Sequence, residues 1–129
     1  MAIARIEFCW EPAADERGPL VDALADALAE VLEVPVGDPS VIAVTRLPAD
    51  VVVPSKAGDR YTIVTVTLFG GRSIETKRRL YRAIIELLQS RGVPSSDAVI
   101  VLEEVPMENW GVDGGLPASE VDVGFKVDI

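Results

Sequence analysis

The sequence predicts an α+β fold. Two α/β crossover units, each strand–helix–strand, form a four-stranded mixed sheet with both helices on one face, followed by a C-terminal hairpin or arm. Three observations carry this. Apolar–polar alternation and β-branched runs occur in the order strand, helix, strand, and that order is written twice. The segments between the strands place apolar residues at helical spacing. The halves also share a marker, Val34-Pro35-Val36-Gly37-Asp38 and Val93-Pro94-Ser95-Ser96-Asp97, which each time follows a helix and precedes a strand. Only two copies fit, so this is an internal duplication and not a solenoid.

Taken in order, Ile3 to Cys9 alternates apolar and polar residues and reads as a strand. A breaker-rich loop, Glu11 to Gly18, follows, and Pro19 stands where a helix takes its first residue. Leu20, Leu24, Leu28 and Leu32 then share one helical face, with Asp22, Asp26 and Glu30 on the other. That helix is expected to stop at Val34-Pro35, because proline disfavours the α conformation in the residue before it. Val41 to Thr45 is the second strand. The third is Tyr61 to Phe69, rich in β-branched residues, and Ser73 is the N-cap of a helix running to about Ser90 and closed by Arg91-Gly92. Ala98 to Leu102 is the fourth strand. The expected organisation is one domain: a first unit at about residues 2–46, a linker at 47–60, a second unit at about 61–119 and an arm at 120–129. In the arm, the alternation Val121-Asp122-Val123-Gly124-Phe125-Lys126-Val127 reads as a hairpin or an extended piece able to pair with a neighbour's sheet edge. The helix-free sheet face has no third layer to cover it, which predicts an oligomer. The Val51-Val52-Val53 run of the linker reads as a further interface contact.

With 129 residues, 49% hydrophobic and 26% charged, the chain is long enough to bury a core without disulfide or metal. Its net charge of −9 argues against nucleic acid and anionic membrane surfaces as partners. Any anionic substrate must therefore be met by a local cation. The absence of histidine removes histidine triads, bases and metal ligands. One cysteine, Cys9, excludes an internal disulfide and reads as a small buried hydrophobe. No signal peptide or membrane span is legible, so the expected compartment is the cytoplasm.

The second half carries a resemblance. Val66-Thr67-Leu68-Phe69-Gly70-Gly71-Arg72-Ser73, then Glu75, Lys77 and Leu80, resembles the opening strand and helix start of 4-oxalocrotonate tautomerase. The likeness continues through Val99 to Glu104 and through Trp110-Gly111-Val112-Asp113-Gly114-Gly115-Leu116-Pro117-Ala118-Ser119, the family's glycine-rich turn and closing hairpin. The duplicated arrangement is similar to longer members of the tautomerase superfamily such as malonate semialdehyde decarboxylase, which share the fold of macrophage migration inhibitory factor. The resemblance implies a homotrimer with no cofactor and no metal, acting on a small-molecule carboxylate or oxo-acid by keto-enol isomerisation, hydration-dehalogenation or decarboxylation. The family's catalyst is an amino-terminal proline. At that position stands Ala2, and the matching position of the second unit is Thr62, which has no amine.

Two readings of the amino terminus stay open. Removal of Met1 leaves Ala2 with a primary amine of unperturbed pKa about 7.7–8.0, which burial lowers towards a base competent at neutrality. Retention of Met1 displaces the amine by one residue, so that the base is lost or misplaced. Arg72 matches the family's turn arginine, whose fork takes a carboxylate bidentately. The second arginine of the decarboxylase-type relatives falls on Gly70, and that of the simple tautomerase on Val99. Asp38 aligns with the acid that assists the amino-terminal catalyst, although its duplicate Asp97 favours a turn-capping role for both. Trp110 takes the place of an aromatic that walls the pocket, with hairpin packing as the equal alternative. Arg5, Arg46, Glu103 and Glu104 read first as solvated side chains, the glutamates also as bases independent of the amine. The expected function is a cofactor-free isomerase with a non-proline catalyst. Against it stand a tautomerase-fold binder or assembly component, and a lyase or cyclising enzyme reusing the pocket.

Overall fold

A computed structural model describes all residues, 1–129. Its elements are β1 (Ala2–Phe8), α1 (Ala14–Leu32), β2 (Ser40–Thr45), β3 (Thr62–Leu68), α2 (Ile74–Ser90), β4 (Ala98–Glu104) and a short hairpin of β5 (Gly111–Val112) and β6 (Leu116–Pro117). The main sheet runs β2-β1-β3-β4. β1 is parallel to β2 and antiparallel to β3, and β3 is parallel to β4, as two crossover units joined at their first strands require.

Alternation sets the two faces. Ala2, Ala4, Ile6 and Phe8 of β1 and Val64, Val66 and Leu68 of β3 point to the helices and are fully buried. They meet Leu20, Leu24, Leu28 and Leu32 of α1 and Leu80, Ile84 and Leu88 of α2, the two apolar helix faces legible in the sequence. On the other face Ile42 is 50% exposed and Val101 45%, with Ile3 and Val99 beside them. Such a stripe of β-branched residues is what a second chain would cover.

The start of α1 corrects the sequence reading. The helix begins at Ala14, five residues before Pro19, which lies inside it. Asp15 and Glu16 occupy the first turn, where acids suit the positive helix end. Proline at this depth removes one backbone bond near the helix end, a loss the Leu20-to-Leu32 face outweighs once buried on the sheet. The helix ends at Leu32, with Glu33 left-handed (φ 54°) before Pro35. Ser73 caps α2 as expected, accepting from the Thr76 N–H at 3.2 Å, and Gly92 takes the left-handed position after the helix.

The arm also differs from its simplest reading. The hairpin lies at β5 and β6, and residues 121–129 form no strand. Their alternation is kept all the same: Val121, Val123, Phe125, Val127 and Ile129 are half-buried and the residues between them exposed. The apolar side packs back on this chain's own β3–α2 turn. No helix is long and apolar enough to cross a membrane.

Candidate active site

The register of the β1–β2 pair places the amino terminus. Ile3 is opposite Ser40, so two residues earlier on each strand the chain start meets Asp38. The terminal ammonium of Met1 lies 3.2 Å from Asp38 Oδ2. Burial holds this amine below its ordinary value. The hydrogen bond and charge of Asp38 pull it back up, and the charge of Arg72 adds to the lowering. Ala2 is fully buried at the head of β1, its nitrogen engaged in the peptide bond to Met1.

The duplicate aspartate does something else. Asp97 is 2% exposed, and its carboxylate accepts from the backbone N–H of Gly58 at 2.6 Å and of Arg60 at 3.1 Å. Thr62, which occupies in the second unit the place of Ala2, is fully buried. Its hydroxyl donates to the Arg60 carbonyl and accepts from Trp10 Nε1, both at 3.0 Å. The Arg60 guanidinium lies 4.9 Å from the centre of the Trp10 ring. The linker therefore fills the second unit's strand head, and only the first unit keeps an amine there.

Arg72 is 6% exposed. Its Nη1 donates to the Phe69 carbonyl at 2.8 Å, while Nε and Nη2 are buried without partners. Burial pushes its pKa down and the Glu104 carboxylate opposes this, yet a guanidinium stays charged at neutral pH. The fork is buried by the arm. The Phe125 ring stacks on Phe69 at 6.0 Å between centroids and lies under the Arg72 guanidinium at 5.9 Å. Gly71 has φ +118°, and a Cβ there would come within 3.1 Å of Val127 Cγ2, so the arm's seat needs glycine on two counts. The Ser73 and Thr76 hydroxyls both donate to the Ile129 oxygen, at 2.7 and 2.6 Å.

A cavity of about 150 Å³ opens at the amine, lined by Met1 and Asp38 on one side. Val112, Val121, Val123 and Phe125 form its apolar wall, and Asp113 and Asp122 its rim. The sequence reading does not single out this wall and rim, although the arm's alternation is the signal for Val121, Asp122, Val123 and Phe125. Trp110 does not line this cavity. Its Nε1 donates to the Val105 carbonyl at 3.1 Å, and its ring meets Phe69 edge-on at 5.1 Å, so it supports the Phe69–Phe125 stack from behind. The structure thus gathers Ala2, Asp38 and Arg72 at one end of the sheet, with Trp110 one layer removed.

The other candidates are placed elsewhere. Glu104 pairs with Lys77, and Glu103 accepts from the Thr67 hydroxyl on the helix-free face. Arg46 pairs with Glu7 at 3.1 Å, and Arg5 is exposed. Cys9 is half-buried, its thiol pushed up by burial and the Glu7 charge. It lines a larger hollow of about 670 Å³ with Arg46, Val51 and Val52, far along β1 from the amine. No three acidic, cysteine or histidine groups are placed to hold a metal ion.

Comparison with known proteins decides the family. The family described as "Tautomerase enzyme" matches residues 38–113, more than half of the chain. The chain belongs to the tautomerase family. Among solved structures, this tautomerase-family protein is similar to FG41 malonate semialdehyde decarboxylase inhibited by 3-bromopropiolate, at 32% identity, with 91% of this chain and 92% of that one covered and a TM-score of 0.71. It is also similar to a wild-type fused 4-OT, Q0, a symmetric trimer, at 27% identity over 91% of this chain and 96% of that one, TM-score 0.81. A macrophage migration inhibitory factor-like protein from Entamoeba histolytica shares the fold at 16% identity, over 88% of this chain and 96% of that one, TM-score 0.76. The matched stretch of the tautomerase family takes in Asp38, Arg72, Trp110 and the rim residue Asp113. β1 and the arm lie outside it.

Proposed function

We propose that the chain is a cofactor-free isomerase that moves a proton between the enol and keto forms of a small oxo-acid, working as a homotrimer closed over its helix-free sheet face. The amino-terminal amine is the base. In its neutral form it takes the enol O–H proton as the C2 carbonyl forms, and the ammonium so produced delivers a proton to C3. Asp38 holds that ammonium, Arg72 receives the substrate carboxylate, and Trp110 acts through Phe69 and Phe125 to keep the wall in place. The observation that carries the reading is an amine of lowered pKa in a cavity beside Asp38, next to a buried guanidinium with two unpartnered nitrogens.

In this reading the amine belongs to Met1, or to Ala2 once the methionine is removed. An amine at Ala2, at the buried head of β1, is expected to be the more desolvated of the two and so to titrate lower. The test is ketonisation of phenylenolpyruvate followed by ultraviolet absorbance, with intact mass fixing the terminal residue. The base is the neutral amine, so kcat/KM should rise with pH through a single step whose midpoint lies below the ordinary α-amino value of about 8. The Met1-free form should have its midpoint lower still, and amino-terminal acetylation should remove the step and the activity together. A rate indifferent to acetylation would end the case for the amine.

A further inference from the structure

The lining of the cavity also bears on which oxo-acid it takes. The charges on its surface are the terminal ammonium, already matched by Asp38, and the carboxylates Asp113 and Asp122. Neither rim aspartate forms an ion pair, and no lysine or arginine is among the lining residues. One cation nearby has unpaired donors for a carboxylate: Arg72, more than nine-tenths buried, with Nε and Nη2 free and its guanidinium over the Phe125 ring that lines the cavity. Arg72 is not itself among the lining residues and is reached from the cavity only past the Phe125 ring, so an acid whose carboxylate binds it would have its chain along Val112, Val121 and Val123, near Asp113 and Asp122.

Resting on the oxo-acid reading above, we infer that the substrate class is a 2-oxo monocarboxylate with an uncharged chain, and that Asp113 and Asp122 turn away dicarboxylates. The apolar wall accepts methylene groups at a gain. A second carboxylate would be stripped of water against valines and set beside two like charges, which is discrimination by repulsion as much as by fit.

The matched probes are 2-oxopentanoate and 2-oxopentanedioate, which share a five-carbon chain and differ in the second carboxylate. Calorimetry gives their affinities, and proton NMR in D₂O gives exchange at C3. The monocarboxylate should bind about tenfold tighter in dilute buffer. That gap should shrink to about two- or threefold in Asp113→Asn/Asp122→Asn and likewise at high salt, where exposed charges are screened beyond about 3 Å. Both substitutions suit the backbone: Asp113 has φ 49°, which asparagine tolerates, and an asparagine at 122 still accepts from the Gly124 N–H. Equal or tighter dicarboxylate binding, a gap that the double substitution leaves unchanged, or no binding of either acid would each overturn the inference. Preferential binding without C3 exchange would uphold it while removing the isomerase reading. Exchange of both acids at equal affinity would do the reverse.

Discussion

Arg72→Ala is expected to lower kcat/KM on phenylenolpyruvate by about two to three orders of magnitude while leaving the protein folded. Two charge-assisted hydrogen bonds to a carboxylate contribute about 3–5 kcal/mol when no water replaces them, and each 1.36 kcal/mol is a factor of ten. Nε and Nη2 are available for those bonds because neither has a partner within the chain. The same fact argues that stability will not suffer in proportion. A buried guanidinium with a single hydrogen bond, to the Phe69 carbonyl, is a costly group to keep, and deleting it leaves a modest void under Phe125. The thermal midpoint should therefore move by no more than a few degrees in either direction. Arg72→Lys separates charge from geometry. It keeps the cation and loses the fork, and should recover only part of the activity. Wild-type kcat/KM in Arg72→Ala would sink the assignment of this side chain to the substrate carboxylate.

What the sequence made legible here was local. The repeated Val-Pro marker, the leucine face of α1 and the Ser73 cap each depend on residues within a few positions of one another, and each stands in the structure where it was read. The start of α1 differs because Pro19 reads as a start signal, whereas a proline this near the amino end costs only one backbone bond and the acids Asp15 and Glu16 favour a turn before it. The site was harder for another reason. That Arg72 is buried depends on Phe125, more than fifty positions later in the chain, returning to stack on Phe69. Nothing within the Gly-Gly-Arg-Ser turn records that return. The family resemblance points to Ala2, Asp38, Arg72 and Trp110 but carries no information about the arm, which lies outside the matched stretch. The cavity wall and its acidic rim are largely built from that arm.

The two aspartates of the repeat put this to a direct test. Sequence treats Asp38 and Asp97 alike, since each follows the same marker, yet their substitutions should separate stability from chemistry. Asp97→Ala should cost about 3 kcal/mol, because it removes two charge-assisted hydrogen bonds, from the N–H groups of Gly58 and Arg60 to a buried carboxylate. For a chain of this length that is a fall in thermal midpoint of about 10 °C. Asp97→Asn, with one acceptor oxygen left, should fall between Asp97→Ala and wild type. Asp38→Asn should leave the midpoint almost unchanged, because its carboxylate faces a partly exposed ammonium and a surface ion pair of that kind contributes little. Its effect belongs to the amine. The Asp38 charge raises the amine pKa, so removing it lets burial and Arg72 depress that pKa further. The rising limb of the pH–rate profile should then shift to lower pH in Asp38→Asn, while Asp97→Asn leaves the limb in place. If instead both variants lose stability equally and neither moves the limb, the repeat is symmetric in role as well as in sequence, and Asp38 is a turn residue with no part in the proton transfer.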